Sequence, residues 1–207
     1  MRSGDFQLLG GHLALDLVNT VDWRWDAARR KDLVESFDDL LAWATQAGVV
    51  TADQARGFSA MAVRNRSLAE RTLRRLRRLR ETLGRIFEAA ADDARPTARD
   101  LRLFNGFLRF ALRRRCLASK GTHLEWSWSA SSRPALDMLL APLVLAAAEL
   151  LTSPLRTKIR ACAADSCGWL FLDTSRTGRR RWCSMQGCGN RAKVRRFYAK
   201  ATSDADR

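Results

Sequence analysis

Four of the five cysteines stand in two short-spaced pairs near the C-terminal end of the chain. Cys162 and Cys167 are separated by four residues, fifteen residues follow, and Cys183 and Cys188 repeat the first spacing. Zn²⁺ takes four tetrahedral ligands, and two such pairs are a common source of four thiolates. The spacing therefore predicts one zinc ion held by Cys162, Cys167, Cys183 and Cys188.

Two other interpretations of these cysteines stay open. An iron–sulfur cluster also accepts four thiolates, and the cysteines could be buried structural residues without a metal. Against the latter, the segment has too few apolar residues for a core of its own. A closed four-thiolate site has no position for water or substrate, so we expect structural rather than catalytic zinc. Its binding free energy, on the order of 10 kcal/mol, would hold the segment folded.

The residues between and after the cysteine pairs predict a β-hairpin and a helix. Residues 169–172 have the composition of a strand, residues 173–178 favour turns, and residues 180–182 can return antiparallel. After the last cysteine, Gly189 can take a positive φ and Asn190 is a good N-cap. Residues 192–201 then predict a helix with an inward apolar stripe, formed by Val194, Phe197 and Tyr198.

Positive charge is concentrated in the same segment. The net charge of +15 favours a polyanionic partner, nucleic acid ahead of an anionic membrane. Residues 155–201 hold 12 Lys and Arg against 2 acidic residues, a net of +10 in under a quarter of the chain. The alternative is a solvated basic face. We predict that double-stranded DNA is bound mostly through its phosphates, and that Asn190 or Arg191 reads bases. The predicted contact residues are Arg179, Arg180, Arg181, Asn190, Arg191, Lys193, Arg195, Arg196 and Lys200.

Two stretches of the chain resemble known families. Residues 180–185 (RRWCSM) and the run Cys188-Gly189-Asn190-Arg191 closely resemble the bacterial CGNR zinc finger family, which is named for that run. Residues 11–20 (GHLALDLVNT) resemble the ABATE domain, the usual N-terminal companion of that finger. The resemblance implies a DNA-binding transcription regulator that responds to stress.

Helical patterns dominate the rest of the chain. Ser36, Thr51 and Thr97 are each followed three residues later by Asp or Gln, which predicts three helix starts. Residues 122–128 alternate as in a strand, and residues 132–151 predict an apolar helix at the centre of a bundle.

The chain therefore divides into three predicted parts. Residues 1–154 form a mainly α domain with minor β structure. Residues 155–201 form a small four-cysteine, zinc-binding α+β module of the treble-clef or zinc-ribbon type. Residues 202–207 form a disordered tail.

The sequence also predicts the compartment. The opening residues lack the pattern of a signal peptide, and the longest apolar run, residues 138–148, is too short to cross a bilayer. We therefore expect a cytoplasmic protein without a membrane partner. In that reducing compartment metal binding is a better account of the paired cysteines than disulfides.

Three other classes of function compete with DNA binding. A zinc-stabilised RNA-binding protein could stack bases on Trp169 or Trp182, and a protein-interaction module could dock the basic helix on an acidic partner. His12 and Asp16 could share a helix face, as in an enzyme, but without a nucleophile motif we expect a structural role and no catalysis.

The first domain could have two partners of its own. Trp23 and Trp25, which stand beside Asp22 and Asp26, could line a pocket for a small-molecule effector. A homodimer formed through the helical domain would supply a second DNA contact, since one small finger binds weakly.

Overall fold

The computed structural model describes residues 6–128 and 136–205, with side chains up to residue 199. Within these ranges the chain forms seven α-helices and three two-stranded antiparallel sheets. The helices are α1 (Leu13–Val18), α2 (Phe37–Gln46), α3 (Ala52–Arg64), α4 (Arg66–Ala91), α5 (Ala98–Leu112), α6 (Leu140–Thr152) and α7 (Asn190–Ala205). The paired strands are β1 (Val21–Asp22) with β2 (Lys31–Asp32), β3 (Arg115–Lys120) with β4 (His123–Trp128), and β5 (Ile159–Ala161) with β6 (Leu170–Leu172).

Side-chain caps start the helices at the predicted positions. The Ser36 hydroxyl accepts a hydrogen bond from the Asp39 amide, and the Asp39 carboxylate accepts one from the Ser36 amide. Thr51 makes the same reciprocal pair at the start of α3, and Thr97 caps α5. Each cap satisfies backbone N–H groups that have no partner within the first turn of a helix.

The helical core is built around α4 and α6. The 26-residue helix α4 is amphipathic and buries one face, which includes Leu76, Leu79, Leu83 and Phe87. Helix α6 packs against α1 and α5, which confirms an apolar helix here, but it starts at Leu140, later than predicted, after a 3₁₀ turn at Leu136–Leu139. Residues 132–135, where that helix was expected to start, lie outside the described residues. Within the described chain, no helix combines the length and apolar character needed to cross a lipid bilayer.

The strand predicted at residues 122–128 is present as β4. It pairs with β3 in an antiparallel hairpin that turns at Gly121, with Arg115 opposite Trp128 and Lys120 opposite His123. Cys116, the fifth cysteine, lies in β3 and therefore belongs to this hairpin rather than to the four-cysteine cluster.

The β5–β6 sheet, although it belongs to the cysteine-rich segment, packs into the helical core. Ile159, Leu170 and Leu172 are buried in the same apolar cluster as the helices. The predicted boundary at residue 154 therefore divides the sequence only, because the residues on its two sides share one apolar core.

Buried hydrogen bonds complete this contact. Asn19, which follows α1 and is 2% exposed, donates from Nδ2 to the Leu170 carbonyl at 2.8 Å, and its Oδ1 accepts from the Leu170 amide at 2.9 Å. The Leu172 amide donates to the Gly10 carbonyl, and the Trp169 indole donates to the Val21 carbonyl at 3.1 Å. The Asn19 side chain thus substitutes for a neighbouring strand along β6.

Replacing Asn19 tests this junction. Asn19→Ala leaves the amide and carbonyl of Leu170 buried without partners, so we expect the free energy of unfolding to fall by about 2 kcal/mol. Urea unfolding of the zinc-loaded chain measures the change. Asn105→Ala, on the exposed surface of α5, is the control; a loss for Asn19→Ala no larger than for Asn105→Ala would contradict the role of Asn19.

Candidate metal centre and nucleic-acid interface

The four predicted cysteines converge at one buried point. Their sulfur atoms all lie within 4.8 Å of one another, and each residue is between 2% and 8% exposed. The Sγ atom of Cys183 lies 3.7 Å from that of Cys167 and 3.6 Å from that of Cys188. These separations are far too long for disulfides, which have sulfur–sulfur bonds of about 2.05 Å.

The geometry and chemistry of the cluster fit one structural zinc ion. A tetrahedral site with metal–sulfur bonds of about 2.3 Å has sulfur–sulfur edges of roughly 3.8 Å. Without a cation, hydrogen bonds from the Cys167 and Cys183 thiols lower the pKa of Cys162 to about 2. Donating those bonds to Cys162 raises the pKa of Cys167 and of Cys183. Four thiolates therefore need a dication among them, and zinc supplies it.

The first cysteine pair lies in the β5–β6 hairpin. Cys162 follows β5 directly and Cys167 precedes β6 by three residues, and the Cys162 amide donates to the Trp169 carbonyl at 2.8 Å. Gly168 allows the tight return, since its φ is +70° and an added Cβ would lie 2.6 Å from the Cβ of Arg24. The Arg24 amide also donates to the Cys167 carbonyl at 3.0 Å.

One of the two strands predicted for the hairpin between the cysteine pairs is wrong. Residues 169–172 do form a strand, but the partner is β5 rather than residues 180–182. The latter residues are held by side chains: the Asp173 carboxylate accepts from the Arg180 amide at 2.9 Å. One backbone bond, from the Ala163 amide to the Arg181 carbonyl, joins them to the first pair.

The last ligand, Cys188, lies in a helical segment that begins earlier than predicted, and Cys183 precedes that segment by two residues. Residues 185–189 form a π-helical turn that leads directly into α7, and Ser184 caps it by accepting from the Gly187 amide at 3.2 Å. Asn190 therefore continues a helix instead of capping one. Gly189 has no positive φ, and an added Cβ would lie 2.7 Å from the sulfur of Met185, the far end of an exposed and flexible side chain.

Arg180 is turned inward, although the sequence predicted a DNA contact. Its Nε donates to the Trp182 carbonyl at 2.9 Å, and its Nη2 donates to the Cys183 carbonyl. Its guanidinium lies 4.2 Å above the Phe171 ring. These contacts fasten the loop that enters the second cysteine pair to strand β6.

Arg191 also contacts the metal centre. Its Nη2 donates to the Cys188 sulfur at 3.0 Å, and its guanidinium lies 4.5 Å from the centroid of the Trp23 ring. Because a zinc ion with four thiolates carries a formal charge of −2, this hydrogen bond is charge-assisted. Arg191 thereby links the last ligand to the β1 segment.

Two family models cover the chain in the order expected from its sequence. The ABATE model, described as a "putative stress-induced transcription regulator", matches residues 11–154. The chain belongs to the ABATE family. The CGNR zinc finger model matches residues 158–201, which include all four cysteines and the basic segment. No curated protein matches the sequence.

Sequence reasoning did not predict that ABATE residues meet the zinc finger; of the three residues, it named only Trp23, as part of an effector pocket. Asn19, Trp23 and Arg24 lie within six positions of one another and contact Leu170, Arg191 and the Cys167 loop, respectively. The available signal was an Asn directly after the apolar turn of α1, because a polar residue buried there needs partners from elsewhere in the chain.

The remaining predicted DNA contacts lie at the surface, where their role stays a prediction. Arg179, Arg181, Lys193 and Arg196 are exposed, and none of them forms an ion pair within the described residues. Arg195 lies 3.7 Å from Asp165 in an exposed ion pair, which is worth little in water. Asn190 is exposed, and the side chain of Lys200 lies outside the described residues.

Helix α7 differs from its prediction on two points. Val194, Phe197 and Tyr198 were expected to face inward but are 54%, 71% and 65% exposed, because the helix projects from the body after Ala192, its one buried residue among those with described side chains. The helix also continues to Ala205, into the predicted tail, since residues 202–205 contain no Gly or Pro to end it.

The residues on which the enzyme and RNA-binding alternatives depend have structural roles. His12 caps α1 by accepting from the Ala14 amide, and the Asp16 carboxylate accepts from the Gly10 amide at 2.7 Å. Burial raises the pKa of Asp16 to about 6 and lowers that of His12. Trp169 is 5% exposed, which leaves no room for a stacked base.

Removing one ligand tests the metal centre. Cys188→Ser should reduce bound zinc below one ion per chain and lower the Tm of the whole protein, since strands β5 and β6 belong to the shared core. A loss of about 3 kcal/mol corresponds to a fall of roughly 10 °C for a chain of this size. Metal analysis and calorimetry measure both effects. Cys116→Ser is the control, and equal zinc content and Tm in the two variants would refute the site.

Arg180 and its neighbour Arg179 form a matched pair for a second test. Arg180→Ala removes three hydrogen bonds, to the carbonyl groups of Trp182, Cys183 and Leu9, and the contact with Phe171. We therefore expect a loss of about 1–3 kcal/mol and faster release of zinc to a chelator. Arg179→Ala removes an exposed cation and should change neither quantity. Similar behaviour of the two variants would show that Arg180 does not hold the metal loop.

Proposed function

We propose that this ABATE protein is a zinc-dependent transcription regulator that binds double-stranded DNA in the cytoplasm through its zinc finger. The zinc ion is structural, and its ligands hold the basic loop of residues 179–181 together with the start of the basic helix α7. The supporting observation is the group of exposed cations without ion-pair partners, within the described residues, in the loop before Cys183 and in α7. The family description of a transcription regulator supports the same conclusion.

The metal centre fixes the backbone beside the first of these cations, which a solvated basic face would not need. Arg181 stands two residues before one zinc ligand, Cys183, and its carbonyl is bonded to the Ala163 amide beside another. Lys193 and Arg196 are three positions apart on α7, which places them on one side of the helix. A backbone that is already ordered loses less conformational entropy when its cations meet phosphates, so the same charge binds more tightly.

The sign and place of the charge favour a polyanion. The zinc finger segment carries two thirds of the net charge of the chain, +10 of +15. Each cation that neutralises a phosphate releases a condensed counterion, so affinity falls steeply with salt concentration. Arg180 and Arg191 already have internal partners, so the outward set is smaller than the sequence predicted.

The salt dependence of DNA binding tests the proposal. Fluorescence anisotropy of a labelled duplex, titrated with the zinc-loaded chain at several salt concentrations, gives the slope of log affinity against log salt. Lys193→Ala/Arg196→Ala should reduce that slope by about 1.8, since each phosphate contact contributes about 0.9. The affinity should fall for all duplex sequences alike, because phosphate contacts carry no base information.

The control keeps the change in charge and moves it away from the finger. Arg99→Ala/Arg102→Ala removes two exposed cations with the same spacing from helix α5. Equal slopes for the two double variants would show that net charge alone drives binding and would refute a DNA surface on α7. Tighter binding to single-stranded RNA than to the duplex would favour the RNA-binding alternative, with half-buried Trp182 as the stacking residue.

A further inference from the structure

A cavity of about 520 Å³ lies where the ABATE region meets the zinc finger. Its walls include Trp23 of the β1–β2 connection and Arg191 of α7, and three of the zinc ligands reach its inner end. The volume falls in the range of small-molecule sites, about 300–1,000 Å³. Of the residues that the sequence suggested for an effector pocket, Asp22 and Trp23 line it, whereas Trp25 and Asp26 do not.

The charged groups around this cavity favour a cation. Six charged side chains line it: Asp22, Asp32, Glu35, Asp39, Lys31 and Arg191. Asp32 is already neutralised by two hydrogen bonds from Arg80, at 2.7 and 2.6 Å. The remaining three carboxylates outnumber the two cations, and the zinc–thiolate centre adds a formal charge of −2. The cavity is thus a negative site in a chain with a net charge of +15.

Trp23 provides the aromatic surface that an organic cation would contact. Guanidinium groups of Arg29 and Arg191 lie 4.0 and 4.5 Å from the centroid of its ring, and Trp is the best aromatic partner of a cation. Its φ of 51° is a conformation that bulky residues rarely adopt. Backbone strain of this kind is concentrated at ligand-binding and catalytic sites.

Arg191 occupies this cavity as an internal cation. It enters from the first turn of α7, and part of the residue stays in contact with solvent, so it can leave the ring without disturbing the core. Its position shows which chemistry the site accepts: a planar or quaternary cation above Trp23, near the carboxylates of Asp22 and Glu35 and the Cys188 sulfur.

We propose that the cavity binds a small organic cation, an amine or guanidinium compound, which takes the place of the Arg191 guanidinium over Trp23. The volume is far larger than a bare metal ion needs and admits a compound with an apolar part against Phe6 and Leu33. Anionic ligands are disfavoured by the carboxylates and thiolates. The proposal does not depend on DNA binding, because it concerns the chain and the ligand alone.

Calorimetric titration without DNA tests the site. The zinc-loaded full chain is titrated with benzyltrimethylammonium, and with benzyl alcohol and benzoate as neutral and anionic probes. We expect the cation to bind at least tenfold more tightly than either. Glu35→Gln, a change at an exposed residue that preserves the fold, should weaken binding of the cation at least threefold, and Trp23→Leu should weaken it at least tenfold.

A matched pair of variants tests whether the cation competes with the Arg191 guanidinium for Trp23. Arg191→Ala should increase the affinity for benzyltrimethylammonium several-fold, whereas Arg195→Ala, which removes the same charge from the same helix outside the cavity, should leave it unchanged. Equal gains in the two variants would overturn the displacement of Arg191. Binding of benzoate as tight as that of the cation, or no saturable binding of the cation by either wild type or Arg191→Ala, would overturn the site itself.

Discussion

The fold depends on four thiolates that must share one buried position. Negative sulfur atoms within 4.8 Å of one another repel strongly at low dielectric, so four thiolates here need a dication at their centre. Zinc then fixes two points on the β5–β6 hairpin and two at the start of the α7 segment. Because β5 and β6 also lie in the helical core, the constraint reaches the ABATE region. The metal therefore stabilises more of the chain than the finger that carries it.

The same centre divides the basic residues of the finger into two groups. A zinc ion with four thiolates is a net anion, and it draws Arg191 to Cys188, while the nearby carbonyl groups draw Arg180. Arg179, Arg181, Lys193 and Arg196 have no such partner within the described residues and face solvent. Counting positive charge thus overstates the surface available to a polyanion. The inward cations balance the metal centre, and only the outward ones are available to phosphate.

Features that depend on residues close in sequence could be predicted, and features that depend on distant residues could not. Ligand spacing and helix caps are local, so the four cysteines and the caps at Ser36 and Thr51 were predictable. The hydrogen bonds along the other edge of strand β6 come from Asn19, about 150 residues away, and local periodicity does not reveal which segment Asn19 meets. The stripe Val194, Phe197 and Tyr198 has the period of a buried helix face, yet periodicity does not show whether a second surface is present.

A finger that shares its core with the preceding domain cannot act as an independent module. The segment from Asn19 to Arg24 contacts strand β6, Arg191 and the Cys167 loop at once. Any ligand that shifts Trp23 must therefore act on the residues that hold the zinc ligands and the first turn of α7. A change in the contacts of this segment would therefore reach both the ABATE region and the finger, because its residues line the cavity and bond the loop of Cys167.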